Sequence, residues 1–347
     1  MYKAERELRD QFQAILQTTR EILSRREELR TFLADMRSLC ILGCGSSFSV
    51  AKSSALQFSQ RAGIPAEAMA AGDLLVNFDS YRRLLDGATF LLLSRSGSTS
   101  ELLLAARRCR EQVPGCKILS VCAVAGAPVS AFADVNIEIP WAFDASVCQT
   151  RTVSNLYASA LLLCGVHCCD EILLDNMLAV REQAAVFCPA VESVLTQIGE
   201  GEWNNAVVLA DSSMAGLAEE GALAFKEICQ RHSNFYHVLD SRHGPVVMID
   251  ANTLVVQLVS RGERQLQLDL AADMVKSAGS VVLLECAETG AAVDGAVHIR
   301  LPQTDSDDVS AIFMLYCIQL LCLKHALARG VDPDEPAGLD PWIKLEI

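Results

Sequence analysis

The sequence predicts an α/β fold of two similar domains, each a parallel sheet flanked by helices in three layers. Short continuous apolar runs alternate with amphipathic stretches along most of the chain, and such runs are typical of strands buried on both faces of a parallel sheet. The same succession of elements occurs twice, which indicates a duplicated domain. A chain of 347 residues is also too long for one ordinary core and fits two.

The first half of the chain supplies a leading helical segment and the first domain. Residues 1–37 carry apolar side chains at helical spacing among charges, so they are predicted to be helical. The first domain is assigned to residues 38–165. Its predicted strands are 39–42, 90–93, 118–121 and 135–139, and its predicted helices are 46–62 and 99–112.

The second half repeats this pattern after a joining helix. The helix is predicted over residues 152–200, and its part from 166 to 200 is assigned as a linker. Residues 201–330 form the second domain and 331–347 a tail; the predicted strands are 207–210, 254–259, 281–284 and 297–301, and the helices include 216–231 and 307–329. Residues 41–42 match 208–209, and residues 134–140 match 296–302, which supports the duplication.

Charge and cysteine content exclude several classes of protein. The formal net charge of −14 would repel a nucleic-acid backbone, although a small phosphate ligand needs only local donors. The 14 cysteines show no CxxC spacing and fit a reducing cytoplasm better than a disulfide framework or a zinc site. With no secretory signal and no apolar run long enough to span a membrane, we expect a cytoplasmic protein without membrane or nucleic-acid partners.

Two loops rich in hydroxyl groups follow predicted strands. Residues 94–99 read Ser-Arg-Ser-Gly-Ser-Thr and open a helix, where free backbone N–H groups and the helix dipole favour an anion such as phosphate. Ordinary helix capping is the alternative, but it needs only one hydroxyl. Residues 43–47 read Gly-Cys-Gly-Ser-Ser and lack the GxGxxG spacing of a dinucleotide site. Both loops leave the carboxyl ends of parallel strands, where α/β sheets bind ligands.

Two carboxylates and one histidine of the second half are candidates for acid–base chemistry. Glu220 and Glu227 are seven residues apart on a predicted helix, hence on one face. A buried carboxylate is a good base for removing a proton next to a carbonyl group. The alternative, equally favoured by the pattern, is that these glutamates lie on a solvent-exposed helix face without a catalytic role. His243 lies in a turn fixed by Gly244 and Pro245, where it is either a proton carrier or a structural residue.

These segments together resemble the SIS (sugar isomerase) family, over nearly the whole chain, as two tandem SIS domains with a flavodoxin-like arrangement. The matching segments are 44–47, 94–99, 220–227 and 243–245. The chain is similar to the isomerase half of glutamine–fructose-6-phosphate aminotransferase, to fructosamine-6-phosphate deglycases and to phosphosugar isomerases. The resemblance implies a sugar phosphate held by Ser47, Ser94, Ser96 and Thr99, with Ser46 and Arg95 beside them.

The resemblance also implies the chemistry of the second half. Glu227 would move the proton between C1 and C2, Glu220 would assist or orient, and His243 would open the sugar ring. Lys344 resembles the tail lysine that contacts the substrate carbonyl in the aminotransferase. Ala224 stands where the aminotransferase has a second lysine, and the sequence before the first domain contains no glutaminase nucleophile, so an ammonia-using synthesis is not expected.

We therefore predict a homodimeric enzyme that needs no metal or redox cofactor and acts on a phosphorylated amino sugar or a sugar–amino acid adduct. Deglycation, deamination and isomerisation remain open, because all three begin with the same proton transfer. The alternatives are a plain ketose/aldose phosphate isomerase and a non-catalytic sensor of phosphosugars. A sensor would need only the phosphate loops and not Glu227 or His243.

Overall fold

The computed structural model describes residues 1–286 and 292–339. The chain divides into two compact units. The first, here called the N-terminal sheet unit, comprises Asp10–Asp144 and Gln149–Leu178. The second, the C-terminal sheet unit, comprises Met1–Arg9, Ala145–Cys148 and Ala179–Leu339.

Strands and helices alternate along the described residues. The strands are β1 (Leu39–Gly43), β2 (Ala66–Ala70), β3 (Thr89–Ser94), β4 (Lys117–Cys122), β5 (Val135–Glu138), β6 (Asn205–Leu209), β7 (His232–Tyr236), β8 (Thr253–Val259), β9 (Ser280–Glu285) and β10 (Val297–Arg300). The helices are α1 (Lys3–Ser24), α2 (Arg26–Leu33), α3 (Ser46–Ala62), α4 (Ala71–Leu85), α5 (Ser100–Gln112), α6 (Arg151–Cys168), α7 (Glu171–Gly199), α8 (Ala215–Glu227), α9 (Arg264–Val275) and α10 (Asp307–Ala328).

The sheet of the N-terminal sheet unit has the order β2-β1-β3-β4-β5, and all its strand pairs are parallel. Every residue of β1 and β3 is buried, because helices cover both faces of these central strands. The order reverses between β1 and β3. Ligands of doubly wound sheets bind at such a reversal, outside the carboxyl ends of the two strands.

The sheet of the C-terminal sheet unit has the order β10-β9-β8-β6-β7, which is the same topology with its reversal between β6 and β8. The segments matched in sequence occupy equivalent places, since β1 and β6 are the first strands of their sheets and β5 and β10 are edge strands. The predicted duplicated α/β fold is therefore confirmed.

Some predicted elements differ from those observed. The leading helical segment consists of two helices that break at Arg25 (φ −105°, ψ 15°), and the predicted joining helix breaks at Cys169, which is left-handed (φ 54°, ψ 39°). The edge strands β2 and β7, together with α4, were not predicted. Both strands are only partly buried and lack a continuous apolar run, since β2 reads Ala-Glu-Ala-Met-Ala and β7 reads His-Ser-Asn-Phe-Tyr.

The last helix, α10, differs from the expectation that no segment is apolar enough to span a membrane: by length and composition alone it is long and apolar enough to cross one. In the structure 83% of its most apolar window is buried inside the protein. The helix packs against α8, and Gly221 makes this approach possible because a Cβ there would lie 2.9 Å from Cδ1 of Ile318. Such burial is typical of the core helix of a globular domain.

The first turn of α1 is capped by a residue that is distant in sequence. The backbone N–H groups of Lys3 and Ala4 donate to the carboxylate of Asp334, at 2.8 and 2.7 Å. Glu7 accepts from the backbone N–H of Ala145 at 2.7 Å and from the hydroxyl of Ser146. The two bonds to Asp334 satisfy helix N–H groups that have no partner within the helix, and the bonds of Asp334 and Glu7 together tie residues 3–7 to the rest of the C-terminal sheet unit.

His325 of α10 is buried as a neutral imidazole. Its Nδ1 donates to the carbonyl oxygen of Gly199 at 2.8 Å, its Nε2 accepts from Nε of Arg231 at 2.9 Å, and its ring stacks on Trp203 with centroids 3.6 Å apart. Burial is the main cause that lowers the pKa of His325 to about 4, and the neighbouring guanidinium of Arg231 adds to it. A proton on Nε2 would also face the Arg231 N–H group.

We expect His325 to make the fold sensitive to acid. The unfolded chain takes up the histidine proton below about pH 6.5, whereas the folded chain resists it down to about pH 4. The free energy of unfolding should therefore fall as the pH drops through this window, by up to about 3 kcal/mol from this group. Measured by urea denaturation between these pH values, the free energy of unfolding should depend less steeply on pH in His325→Asn than in the wild type. A control variant of an exposed histidine, His232→Asn, should keep the wild-type slope; equal slopes in all three would contradict the prediction.

Candidate functional site

The loop after β3 is held in shape by its own serine side chains. Oγ of Ser94 accepts from the backbone N–H of Gly97 at 2.9 Å, and Oγ of Ser96 accepts from the N–H of Ser98 at 3.2 Å. Each hydroxyl uses a lone pair in these bonds and keeps its own proton for donation. The loop ends at Thr99, directly before the N-terminus of α5, where the helix dipole favours an anion.

Gly97 is the residue of this loop that packs most closely against its neighbours. It has φ +60°, and a Cβ there would lie 2.6 Å from both Cβ of Ala127 and Sγ of Cys122. The carbonyl oxygen of Gly97 accepts from the N–H of Val129 at 2.9 Å, and that of Arg95 accepts from Ala123 at 3.1 Å. The loop is therefore anchored to the segment after β4 through its backbone, in a conformation that glycine alone adopts without strain.

The loop after β1 brings two buried serines to the start of α3. Ser46 and Ser47 are buried, and Gly45 precedes them with φ +53°. A Cβ on Gly43 would lie 2.5 Å from the carbonyl carbon of Ser47, so the end of β1 and the first turn of α3 approach as closely as backbone allows. Within residues 1–286 and 292–339, the hydroxyls of Ser46, Ser47 and Thr99 make no hydrogen bond to protein.

The two loops leave neighbouring parallel strands, because Leu42 of β1 pairs with Leu92 of β3. All six predicted phosphate-binding residues thus lie at the carboxyl edge of one sheet, at its topological reversal: Ser46, Ser47, Ser94, Arg95, Ser96 and Thr99. Two helix N-termini and several hydroxyls at one edge provide donors for an anion without a bound cation.

Glu101 was not singled out in the sequence and lies beside these loops. It is in the first turn of α5, and its Oε2 is buried without a hydrogen-bond partner in the described part of the chain. Burial, together with the negative charge of Glu101, raises the pKa of the Cys44 thiol to about 12. A carboxylate directly after a hydroxyl loop is the signal that could have identified it.

The predicted carboxylates lie on α8 of the C-terminal sheet unit, in different surroundings. Glu220 is 2% exposed and lies near Cys322 of α10, whose thiol pKa is raised mainly by burial and in smaller part by the charge of Glu220. Glu227 is the last residue of α8 and is only partly buried. Its charge acts on the ammonium group of Lys226, whose pKa is lowered mainly by burial and raised in part by Glu219 and Glu227.

The predicted histidine lies on an exposed turn. His243 follows the 3-10 helix Leu239–Arg242, and its backbone N–H donates to the carbonyl oxygen of Asp240 at 2.8 Å. Gly244 (φ 122°) and Pro245 then begin a second 3-10 helix, in which Val247 is 80% and Met248 70% exposed. Lys344, the predicted tail residue, lies outside the described residues.

Among the residues that the structure describes, the reversal of the second sheet shows no comparable set of hydroxyl donors. After β6, Oγ of Ser213 donates to Asp308 at 2.5 Å, and Asp211 contacts Nδ1 of His237 at 3.1 Å. After β8, the guanidinium of Arg261 is bound to Asp307 at 2.5 Å. Carboxylates therefore occupy the donors at this edge, which makes it less suited to an anion than the corresponding edge of the N-terminal sheet unit.

Fold and loops together define a duplicated, doubly wound α/β protein with a hydroxyl-rich carboxyl edge in its first sheet. The sequence model of the SIS domain family matches residues 32–163 and 202–329. The chain belongs to the SIS domain family and contains two tandem SIS domains.

Three known proteins illustrate the similarity. Glutamine–fructose-6-phosphate aminotransferase from Yersinia pseudotuberculosis is 25% identical over 327 residues, covering 90% of this chain and 52% of the relative. The crystal structure of tagatose-6-phosphate ketose/aldose isomerase from Escherichia coli matches with a TM-score of 0.86, 25% identity and coverage of 98% and 96% of the two chains.

The third is glucosamine-6-phosphate deaminase from Thermotoga maritima, with a TM-score of 0.71, 21% identity and coverage of 94% of this chain and 99% of that one; at this identity the likeness concerns the fold alone. The chain spans about half the length of the curated relatives it matches.

We expect the serines of the loop after β3 to dominate binding of a sugar phosphate. Ser94→Ala and Ser96→Ala each remove a donor to a dianion, and a hydrogen bond to a charged group contributes about 1.5–3 kcal/mol. Titration calorimetry with hexose 6-phosphates should show affinity about 10- to 100-fold weaker for each variant. Ser98→Ala, in the same loop but with an exposed side chain, is the matched control. A loss of equal size in Ser98→Ala would mean that loop distortion, and not the individual hydroxyls, explains the effect.

Proposed function

We propose that this protein is an enzyme that acts on a phosphorylated amino sugar or a sugar–amino acid adduct through proton transfer between C1 and C2. The observation that carries the proposal is the edge formed by Ser46, Ser47 and the loop 94–99. It offers free hydroxyl donors and two helix N-termini at the topological reversal of a parallel sheet, and these suit a phosphate dianion.

The proposed reaction uses carboxylate and imidazole groups and needs no electron transfer. His243 helps to open the sugar ring by moving a proton between the ring oxygen and the anomeric hydroxyl. Glu227 then removes the proton beside the C=O or C=N bond, and the resulting enediol or enaminol is reprotonated by the same group on the neighbouring carbon. Glu220 assists or orients Glu227. Where the product is an imine, water adds to its carbon and the amine leaves.

Glu101 supports a substrate that carries an amine. A buried carboxylate oxygen without a hydrogen bond is costly, and a phosphate dianion alone would increase this cost by repulsion. An ammonium group on the substrate would offset both effects. A plain hexose phosphate would not, so this carboxylate favours the amino sugar or the adduct over a simple ketose or aldose phosphate.

A ketose/aldose phosphate isomerase is the second candidate. The similarity to the E. coli tagatose-6-phosphate isomerase along nearly the full length of both chains favours it. Isomerisation uses the same proton transfer without the final loss of an amine. A sensor that only binds phosphosugars is the third possibility, and it would leave Glu227 and His243 without a role.

A homodimer is part of the proposal. His243 is exposed, and two exposed apolar side chains, Val247 and Met248, follow it. Exposed apolar side chains on one turn are typical of a protein interface, and we propose that a second copy of the chain covers them. If two subunits share a site, mixing Glu227→Gln with His243→Asn should restore part of the activity that each variant has lost.

The function is tested by turnover of three substrates. Fructoselysine 6-phosphate, glucosamine 6-phosphate and tagatose 6-phosphate would be supplied separately, and the hexose phosphate formed would be followed through a coupled dehydrogenase. Release of hexose phosphate from either amine-bearing compound supports the proposal. Turnover of tagatose 6-phosphate alone would establish the isomerase. Thermal stabilisation by all three without turnover would establish a sensor.

A further inference from the structure

The side chain of Gln149 presents a buried hydrogen-bond acceptor in the loop that leads into α6. This acceptor, Oε1, has no hydrogen-bond partner within residues 1–286 and 292–339, although the residue as a whole is partly exposed. A buried polar atom without a partner costs free energy, because it has lost its bonds to water. In a native structure such an atom is rare, and a ligand that supplies the partner is one physical reason to keep it.

The loop that holds Gln149 lies at the same edge of the sheet as the hydroxyl loops. Helix α6 packs against α3, and Nε2 of Gln57 donates to the hydroxyl of Tyr157 at 2.7 Å. Further along, Arg61 pairs at 2.9 Å with Asp170, which lies just beyond the end of α6. The two contacts advance in the same direction along both segments, so α6 runs parallel to α3.

Counting along the two helices places Gln149 close to the level of the first residue of α3. Ser46 precedes Gln57 by 11 residues, and Gln149 precedes Tyr157 by 8. At about 1.5 Å per residue these stretches span about 16 Å and about 12 Å, a difference smaller than one helical turn. Because α3 begins directly after β1, Gln149 lies at the carboxyl edge that also carries the hydroxyls of Ser46 and Ser47.

The backbone on both sides of Gln149 is fixed. Before it, the N–H of Val147 donates to the carbonyl oxygen of Asp334 at 2.9 Å. After it, the N–H of Thr150 donates to the buried carboxylate of Asp144 at 2.8 Å. The side-chain amide is therefore held at a defined place while its carbonyl oxygen stays available. A group held in this way suits recognition, because little freedom is lost when a ligand binds to it.

The partner of Oε1 must be a hydrogen-bond donor. A phosphate dianion offers acceptor oxygens only, so the group for which the hydroxyl loops are suited cannot fill this role. A sugar hydroxyl can, because it carries its own proton. An ammonium group is better matched to the carboxylate of Glu101, since a charged acceptor binds a cation more strongly than a neutral amide does.

We propose that Gln149 is a specificity-determining residue whose Oε1 accepts a hydrogen bond from one hydroxyl group of a hexose phosphate. The inference rests on the proposed function for the class of substrate, but it holds for deglycation, deamination and isomerisation alike. A sugar that lacks this hydroxyl, or carries it in the opposite configuration, leaves the acceptor buried and unpaired. Gln149 therefore selects among hexose phosphates by the position of one hydroxyl group.

The test is titration calorimetry with inorganic phosphate and with the 6-phosphates of fructose, tagatose and glucosamine. Methionine keeps the length of the glutamine side chain and removes the acceptor. In Gln149→Met we expect affinity for the hexose phosphate that binds the wild type most tightly to fall about 3- to 10-fold, the contribution of one neutral hydrogen bond, while affinity for inorganic phosphate stays unchanged. The matched control is Gln60→Met, at an exposed glutamine near the far end of α3, which should bind as the wild type does.

Two further measurements separate recognition from a structural role. Of the monodeoxy derivatives of the tightest hexose phosphate, one should bind the wild type and Gln149→Met equally, because neither complex contains the bond. Gln149→Glu keeps an acceptor oxygen, so it should retain the wild-type ratio of hexose phosphate affinity to inorganic phosphate affinity even if its charge weakens both. Gln149→Ala replaces the methionine variant if that variant does not fold.

Equal weakening of both ligands in Gln149→Met, or an unchanged ratio of the two affinities, would overturn this inference and leave the proposed function standing. Loss of the ratio in Gln149→Glu as well would assign the residue a structural role. If no hexose phosphate binds the wild type more tightly than inorganic phosphate does, the inference and the proposed function fail together.

Discussion

Replacing Glu227 by glutamine is expected to lower kcat by about 10²- to 10⁴-fold, the usual contribution of a positioned general base. The amide keeps the shape of the side chain but cannot take a proton at neutral pH. Glu227 ends α8 and is partly buried, so the substitution should leave the fold and the helix unchanged. The prediction rests on the proposed reaction, in which this carboxylate removes the proton beside the carbonyl or imine.

The matched control for this variant is Glu219→Gln. Glu219 belongs to the same helix, and like Glu227 it places a negative charge near Lys226. Turnover of whichever of the three candidate substrates the wild type consumes would be measured for both variants, together with calorimetric binding of a hexose 6-phosphate. We expect a large loss of kcat in Glu227→Gln alone, with phosphate affinity preserved in both. Equal losses in the two variants would indicate an effect of net charge and would remove Glu227 from the role of base.

Gly97→Ala is expected to destabilise the N-terminal sheet unit and to abolish binding of phosphosugars. A left-handed conformation costs an ordinary residue about 1–2 kcal/mol. The new Cβ would also lie 2.6 Å from Cys122 Sγ and from Ala127 Cβ, and 2.9 Å from Cγ1 of Val129. Overpacking of this kind costs about a further 1–3 kcal/mol, so the loop should move away from the segment after β4.

Gly63→Ala separates these two causes. Gly63 is also left-handed (φ 67°, ψ 18°), at the end of α3, but no atom lies within 4 Å of the position that a Cβ would take there. Urea denaturation should show a loss of about 1–2 kcal/mol for Gly63→Ala and about twice that or more for Gly97→Ala. Calorimetry should show lost hexose phosphate binding only in Gly97→Ala. Retained binding there would mean that the loop tolerates the methyl group and is less constrained than its contacts indicate.

The central parts of both sheets could be predicted because their signal is local. The central strands β1 and β3 contain continuous apolar runs, and β8 contains one that only Gln257 interrupts, as is typical of buried parallel strands. The edge strands β2 and β7 gave no such signal, since each pairs on one side only and keeps polar or small residues. The helix break at Cys169 could not be predicted either, because the left-handed residue at a helix end is usually glycine and here it is cysteine.

The site could be predicted as far as its residues are neighbours in sequence. The loop 94–99 contains its own hydroxyls, and its place after a strand follows from the alternation of elements. The surroundings of single side chains could not be predicted. That Glu220 lies against α10 while Glu227 is partly exposed depends on packing between helices far apart in sequence, and spacing on one helix gives no information about it.

The capping of α1 by Asp334 bears on how this chain is made. A ribosome releases the N-terminus first, and domains usually fold in the order in which they appear. Lys3 and Ala4 receive their acceptor only after Asp334 has been synthesised. The first N–H groups of α1 therefore remain without this acceptor until about 330 further residues have been synthesised. The N-terminal and C-terminal segments of the C-terminal sheet unit can join only at that point.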